Sequence, residues 1–273
     1  MSTDLALLDI DRGVATITFN RPESNNGWTG GLEQAYYDRL SQCQDDPLVK
    51  AIVVTGAGRS FCPGADMKML SGAARGTGNA GGGTPDQPVG QPKQVLNFPA
   101  TITKPIIGAI NGACAGVGLV QALMFDLRFA AAGAKFTVAF ARRGLIAEYG
   151  SAWLLPRLVG QSNALDLLLS SRVVLADEAQ SMGLVNRVVA ADELLGVTQA
   201  YARDLAANCS PTSMAVMKRQ VANAWQLDLP EAMAQAYRLM NETLKRPDFV
   251  EGVSSFLEKR VPAFGEIQQD LLH

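Results

Sequence analysis

Chemistry in this 273-residue chain has to be done almost without histidine. The single one is the last residue, His273, which removes Ser-His-Asp and Cys-His nucleophiles, imidazole acid/base work and histidine metal sites from a folded interior. Carboxylates, tyrosines and backbone groups remain. The carboxylate in the most telling place is Glu148, in the stretch "GLIAEYGSAWLLP" (144–156), where it stands between two glycines and among Leu145, Ile146, Tyr149, Trp153 and Leu154. A bare buried charge is very costly. Glu148 is therefore solvated, paired with Arg142, Arg143 or Arg157 on a surface, or kept for proton transfer with its pKa raised by desolvation.

Two glycine-rich turns offer a complementary kind of chemistry. "VVTGAGRSFCPGADMKML" reads as strand, turn and a helix opening at Asp66, and "PIIGAINGACAGVGLVQAL" repeats that grammar, with Gly116 and Gly118 at a helix start. Glycine lets backbone approach a ligand, and a helix amino terminus presents free N–H groups. Two such turns, if they converge, could hold one developing oxyanion. Neither is GxGxxG or GxxxxGK[ST], and Asp66 alone reads most simply as a carboxylate at a helix start.

The elements that must position these groups alternate. Strand-like runs fall at 13–20, 49–56, 105–111, 127–133 and 135–140, with helices between several of them, which predicts an α/β core with covered sheet faces. Leu32, Tyr36, Leu40 and Cys43 give the first helix its apolar stripe. The uncharged run from 105 to 125 reads as a buried strand and helix rather than a membrane span. Residues 71–93, with seven glycines and three prolines, read as a surface loop, either a plain insertion or a flap beside a site. After about 190 the pattern turns helical: Ser210-Pro211 caps a helix carrying Met214, Met217, Val221 and Trp225, and a second stacks Met233, Ala236, Tyr237, Met240 and Leu244. Methionine stripes of this kind pack against other helices or another subunit. The expected division is a core at 1–190 and a helical region at 191–273.

Composition narrows the class. With 48% hydrophobic and 18% charged residues and a net charge of −2, the chain is globular and has no basic field for nucleic acid. Acids in "MSTDLALLDIDRG" and the absence of an apolar leader make the cytoplasm the expected compartment. Four scattered cysteines, Cys43, Cys62, Cys114 and Cys209, read as reduced thiols rather than a disulfide frame or zinc site.

Five segments taken together, "RPESNNGWT" (21–29), "SFCPGADMK" (60–68), "NGACAGVGL" (111–119), "GLIAEYGSAWLLPRLVG" (144–160) and "EGVSSFLEKRVPAF" (251–264), resemble the crotonase superfamily of enoyl-CoA hydratases and isomerases over nearly the whole chain. The resemblance implies a spiral of ββα units, a carboxy-terminal helical part used for trimer formation and a coenzyme A thioester as substrate. It implies an oxyanion hole from the N–H groups of Ala65 and Val117. Gly64, Asp66, Met67 and Lys68 would lie along the nucleotide and pantetheine, with Phe256 and Lys259 at the adenine and phosphate end, from a neighbouring subunit or the same one. Coenzyme A arrives with the substrate, so no metal or other cofactor is implied, and the assembly would be a homotrimer or hexamer with no nucleic-acid or membrane partner.

The sequence also departs from the family. The two glutamates that add water in its best-known hydratases fall at Val120 and Phe140, which move no proton. Glu148 falls where several crotonase-like isomerases and a related dehalogenase place a catalytic aspartate, which favours the acid/base reading. Trp28 replaces a small residue and would narrow the acyl pocket, which Tyr149 and Trp153 could also line. A single carboxylate suits double-bond isomerisation better than hydration; a one-carboxylate hydratase and an idle acyl-CoA-binding protein are the competing readings.

Overall fold

A computed structural model of the chain describes residues 4–76 and 97–272. Among the described residues, ten strands form two sheets. β1 (Ala6–Asp11) and β2 (Val14–Phe19) make an antiparallel hairpin, and β3 (Ala51–Gly56), β5 (Ile106–Ile110), β7 (Leu127–Ala131) and β10 (Arg187–Val189) continue that sheet in parallel, in the order β1-β2-β3-β5-β7-β10. β4 (Ser60–Cys62), β6 (Ala113–Ala115), β8 (Lys135–Thr137) and β9 (Val174–Leu175) form the smaller sheet in that order. Each of β3-β4, β5-β6 and β7-β8 thus sends its first strand to one sheet and its second to the other. Helix α2 (Met67–Ala74) follows the first pair, α4 (Val117–Leu123) the second and α5 (Ser151–Ser170) the third, so the ββα unit winds three times.

The elements form for local reasons. β3, "AIVVTG", is buried along its whole length, as a parallel strand covered on both faces must be. Helix α1 (Gly30–Asp45) starts where the Thr29 hydroxyl accepts the Leu32 N–H, and it buries Leu32, Tyr36, Leu40 and Cys43 as the stripe predicts, together with Glu33 and Tyr37. β8 stops at Thr137, short of the predicted 140, because Ala139 turns into the left-handed region with φ of 60° and its N–H bonds the Thr137 hydroxyl. α5 bends at Gly160, whose backbone is not helical.

One core fills the space between the sheets and helices α1, α4 and α5, with the short α3 (Phe98–Thr101) and α6 (Ala176–Ser181) at its margin. A second lies on the opposite face of the large sheet, where Leu194, Ala202 and Ala206 of α7 (Leu194–Asn208) cover Val14, Val53, Ile107 and Phe129. The uncharged run resolves into β5, β6 and α4, and no helix among the described residues is long and apolar enough to cross a membrane. All four cysteines are free thiols. Beyond α7 come α8 (Pro211–Asn223), α9 (Leu229–Thr243) and α10 (Pro247–Glu258). Ser210 caps α8 as predicted, but the apolar stripes face outward: Met217, Val221, Trp225, Met233, Tyr237, Met240 and Leu244 are all exposed. Of the glycine-rich segment 71–93, the start belongs to α2, which runs to Ala74, and the part from 77 onward lies outside the described residues.

Candidate active site

The two glycine turns meet. β4 and β6 are parallel neighbours with Cys62 opposite Cys114, so the chain leaves both strands at the same edge and turns into α2 and α4 side by side. Gly64 (φ 106°) and Gly116 (φ 50°, ψ −128°) hold backbone conformations that a side chain would strain. They also touch: a Cβ on Gly116 would stand 3.6 Å from Gly64 Cα, and one on Gly64 would stand 3.3 Å from Ala115 O. Gly118 lets α4 lie directly on β4, because a Cβ there would come 2.3 Å from Cys62 O.

Two N–H groups are left over at this junction. Val117 opens α4, so its N–H has no acceptor within the helix. Ala65 pairs with Trp28 as an isolated parallel bridge, in which Trp28 N–H donates to Gly64 O at 2.8 Å and Asp66 N–H donates to Trp28 O at 3.0 Å. These bonds use the residues on either side of Ala65, and no described acceptor takes the Ala65 N–H itself. Each turn thus presents one N–H without a described acceptor, at the positions where the resemblance implies an oxyanion hole.

The residues that the resemblance assigns to coenzyme A divide. Asp66 is committed to structure: its Oδ1 accepts the Lys68 N–H at 2.9 Å and its Oδ2 meets Arg21 Nη2 at 3.1 Å. Burial works upward on this carboxyl, but the Lys68 N–H and the Arg21 bond and charge outweigh it and hold the pKa below the ordinary value. Met67 and Lys68 point to solvent at the start of α2. Phe256 is 83% exposed near the end of α10, and Lys259 follows that helix in the left-handed conformation. Among the described residues, no hydrogen bond or ion pair of this chain ties either to the Gly64–Lys68 turn.

Glu148 lies in the segment before α5, half-buried. The three arginines that could have paired with it are engaged elsewhere: Arg142 Nε with Ser170 O at 2.9 Å, Arg143 with Ala139 O at 2.8 Å, and Arg157 with Trp153 O at 2.7 Å. No described cation pairs with the carboxyl, and desolvation raises its pKa above the ordinary glutamate value. Gly144 and Gly150 turn the segment with φ of 70° and 77°, and Tyr149 itself is left-handed at φ 54°, a strained position for an aromatic residue.

A second carboxyl, overlooked in the sequence, stands in the same neighbourhood. Glu33 on α1 is buried, and its Oε2 accepts the Trp28 indole N–H at 2.9 Å. Burial raises its pKa, and the indole bond offsets part of that. Burial also raises the Tyr149 hydroxyl pKa, with smaller contributions from Glu148 and Glu33, so this hydroxyl feels both carboxyls. Trp28 is thus tied to Glu33 on one side and to the Ala65 turn on the other. Trp28 is buried and stacks edge-on against Phe19 and Tyr36 at centroid distances of 5.8 and 6.1 Å. Trp153 departs from this group: it is half exposed, and the Arg157 guanidinium lies 3.7 Å over its ring and 5.2 Å from the ring centroid of Trp225. Val120 and Phe140 are both buried apolar members of the core.

A spiral of ββα units with two of its glycine turns in contact is the frame of a crotonase-like enzyme. The chain belongs to the enoyl-CoA hydratase/isomerase family, whose model matches residues 9–268. It is 34% identical over 267 residues to the 1,2-epoxyphenylacetyl-CoA isomerase of Escherichia coli K12, covering 96% of this chain and 98% of that one. It is 35% identical to an enoyl-CoA hydratase of Alternaria alternata, covering 96% of this chain and 84% of that protein. Among solved structures, a probable enoyl-CoA hydratase/isomerase from Mycobacterium abscessus superposes with a TM-score of 0.85 at 30% identity, over 96% of this chain and 98% of that one. An enoyl-CoA hydratase from Mycobacterium marinum is 46% identical, with a TM-score of 0.67 over 80% of this chain and 97% of that one.

Proposed function

We propose that this enzyme isomerises the double bond of an enoyl-CoA thioester with Glu148 as its single acid/base. The carboxylate takes a proton from C2 of a 3-enoyl thioester, and the electron pair passes into the thioester carbonyl as a dienolate. The N–H groups of Ala65 and Val117 hold the oxyanion, and the carboxylic acid then returns the proton to C4, leaving the 2-enoyl product. The observation that carries the reading is a half-buried carboxyl with no described cation beside it, in a chain whose two adjoining glycine turns each leave an N–H without a described acceptor. With Val120 and Phe140 where the family's water-adding glutamates stand, a reaction that needs only one proton carrier is the economical fit.

Coenzyme A enters as part of the substrate. In this reading the Gly64–Lys68 turn lies along the pantetheine and nucleotide, with Lys68 a point charge for phosphate and Asp66 holding the turn through Arg21. Phe256 and Lys259 reach the adenine end from a neighbouring copy in a homotrimer or hexamer, for which the exposed apolar stripes of α8 and α9 supply the contact surface. Tyr149 and Trp28 line the acyl pocket.

Hydration of a 2-enoyl thioester is the second reading, favoured by the nearness of a second carboxyl, Glu33, to Tyr149. Incubating 2-enoyl- and 3-enoyl-CoA with the enzyme and with Glu148→Gln in heavy water, followed by mass spectrometry, separates the two. Double-bond migration or deuterium incorporation without net water addition, lost in the variant, is expected. Addition of one water, also lost in the variant, would instead establish the hydratase. Full turnover by Glu148→Gln would remove Glu148 from the mechanism.

A further inference from the structure

A trans peptide group is planar and points its C=O and its N–H in opposite directions. That rule leads back from the Ala65 N–H to a charge. Gly64 C=O and Ala65 N–H belong to one peptide group, and the described peptide bonds are all trans. Gly64 O accepts the Trp28 N–H at 2.8 Å, so the Ala65 N–H faces away from Trp28. The Trp28 N–H in turn shares its peptide group with Gly27 C=O, and Gly27 O accepts from Arg21 Nη1. The guanidinium thus heads a chain of hydrogen bonds that passes through two peptide groups and ends at the Ala65 N–H.

The arginine is held from several sides. Its Nη2 meets Asp66 Oδ2 at 3.1 Å, one residue beyond Ala65, and the two side chains are only 17% and 13% exposed. Asn26, fully buried, accepts the Arg21 backbone N–H on its Oδ1 at 2.8 Å and donates through Nδ2 to Ala57 O at 2.9 Å and Ser60 O at 2.8 Å. Arg21 is therefore tied to the turn between β3 and β4 as well as to the turn after β4. The fit leaves little slack, since a Cβ on Gly27 would stand 3.3 Å from Asp66 Cα. Among the described residues Val117 has no such backing: the carbonyl of its peptide group, Gly116 O, takes the Val120 N–H at 3.0 Å, an ordinary helical bond.

Hydrogen bonds in series polarise one another, and a charge inside a protein is screened less than one in water. A guanidinium at the carbonyl end of two linked peptide groups draws electron density toward itself and makes the last N–H a stronger donor. It also fixes that N–H in direction, because tilting it requires breaking one of the bonds behind it. We propose that Arg21 is a positioning residue of the reaction, one that aims and strengthens the Ala65 N–H as a donor to the thioester oxygen without touching the substrate. The inference rests on the reading of the Ala65 and Val117 N–H groups as an oxyanion hole.

The test reads the thioester carbonyl directly. Butyryl-CoA, isotopically labelled at that carbon, is bound to the native enzyme and to Arg21→Met, and its C=O stretch is recorded by difference infrared spectroscopy. Hydrogen bonding lowers the stretch, so the native complex is expected to lie below free butyryl-CoA and the Arg21→Met complex to lose a large part of that lowering. With enoyl-CoA substrates, kcat and kcat/KM should fall together in Arg21→Met by roughly 10- to 100-fold, approaching the loss of a whole oxyanion donor, with KM little changed. The control is Arg172→Met, which removes another arginine with two carboxylate partners, Asp166 of α5 and Glu178 of α6, and should leave both stretch and rate as they are. Should Arg21→Met fail to fold, Arg21→Lys, which keeps the charge but not the fork, is expected to lose part of the lowering. A native-like stretch in the Arg21 variants would overturn the inference alone. An unshifted stretch in the native complex, or no binding, would overturn the oxyanion-hole reading and this inference with it. If the stretch is lowered but no enoyl thioester is turned over, the isomerase reading fails and the infrared comparison still decides the role of Arg21.

Discussion

Gly118→Ala tests whether the convergence of the two turns matters, because it touches neither reacting group. An added Cβ would stand 2.3 Å from Cys62 O, 2.6 Å from Cys62 Cβ and 2.7 Å from its sulfur. Restoring ordinary carbon–oxygen contact requires about 1 Å of separation between α4 and β4. The obstacle is a strand backbone in a buried sheet, so it cannot swing aside as a flexible side chain would. α4 carries the Val117 N–H and β4 leads into the Ala65 N–H, so the movement opens the gap between them. A misplacement of about 1 Å costs on the order of 100-fold in rate, and the overpacking costs about 1–3 kcal/mol of stability. Steady-state kinetics on 2- and 3-enoyl-CoA, with thermal unfolding alongside, would show a kcat loss of that order and a melting temperature lower by several degrees. The control is Gly196→Ala in α7, where an added Cβ meets nothing within 4 Å and the helix gains about 0.5–1 kcal/mol. A Gly118→Ala enzyme that is destabilised yet retains native kcat would refute the idea that the spacing of the two turns sets the rate.

Three further outcomes follow from the same structure. Desolvation raises the Glu148 pKa, and its base form starts the proposed reaction, so the acidic limb of log kcat/KM rises with pH and has its midpoint above the ordinary 4.5; a midpoint at or below that value would mean a different group is being titrated. The Asp66 pKa is held below its ordinary 3.8, so its share of stability is present above that pH and disappears as pH falls through the lower folded value. Asp66→Asn should cost about 1–2 kcal/mol at neutral pH, and urea titrations should show the difference vanishing in strong acid. Thr29→Ala removes the cap of α1 and should cost about 1 kcal/mol in the same assay, an unchanged midpoint being the contrary result.

Much of the frame could be read from residues. The stripe Leu32-Tyr36-Leu40-Cys43 placed α1 correctly, and the strand–glycine–helix grammar located both turns. What joins those turns is the pairing of β4 with β6, a contact between segments some fifty residues apart that neither turn encodes alone. The ββα winding came from the family resemblance and not from a repeat in the sequence, because β3, β5 and β7 begin at Ala51, Ile106 and Leu127 and a repeat so uneven leaves no period. Glu148 was found because it is the one charge in an apolar stretch. Glu33 was missed because a glutamate in the first turn of a helix ordinarily serves the helix dipole in water. Its spacing of four to Tyr37 and seven to Leu40 does put it on the buried face, a signal available beforehand, but the Trp28 indole that accommodates it there is a tertiary partner. The stripes of α8 and α9 were read correctly as stripes, but the periodicity of a single helix does not say whether its apolar face is covered, and here it is exposed.

The paired turns and the carboxyls are supplied by different parts of the chain. The turns are backbone, fixed by strand pairing and by glycines that tolerate no side chain, whereas Glu148 comes from the segment before α5 and Glu33 from α1. In the proposed reaction, gripping the thioester and moving its proton are in that sense tasks of separate parts of the chain. On that reading, exchanging one side chain on α1 or ahead of α5 leaves the grip intact while changing the reaction, which makes this scaffold a practical starting point for redesign.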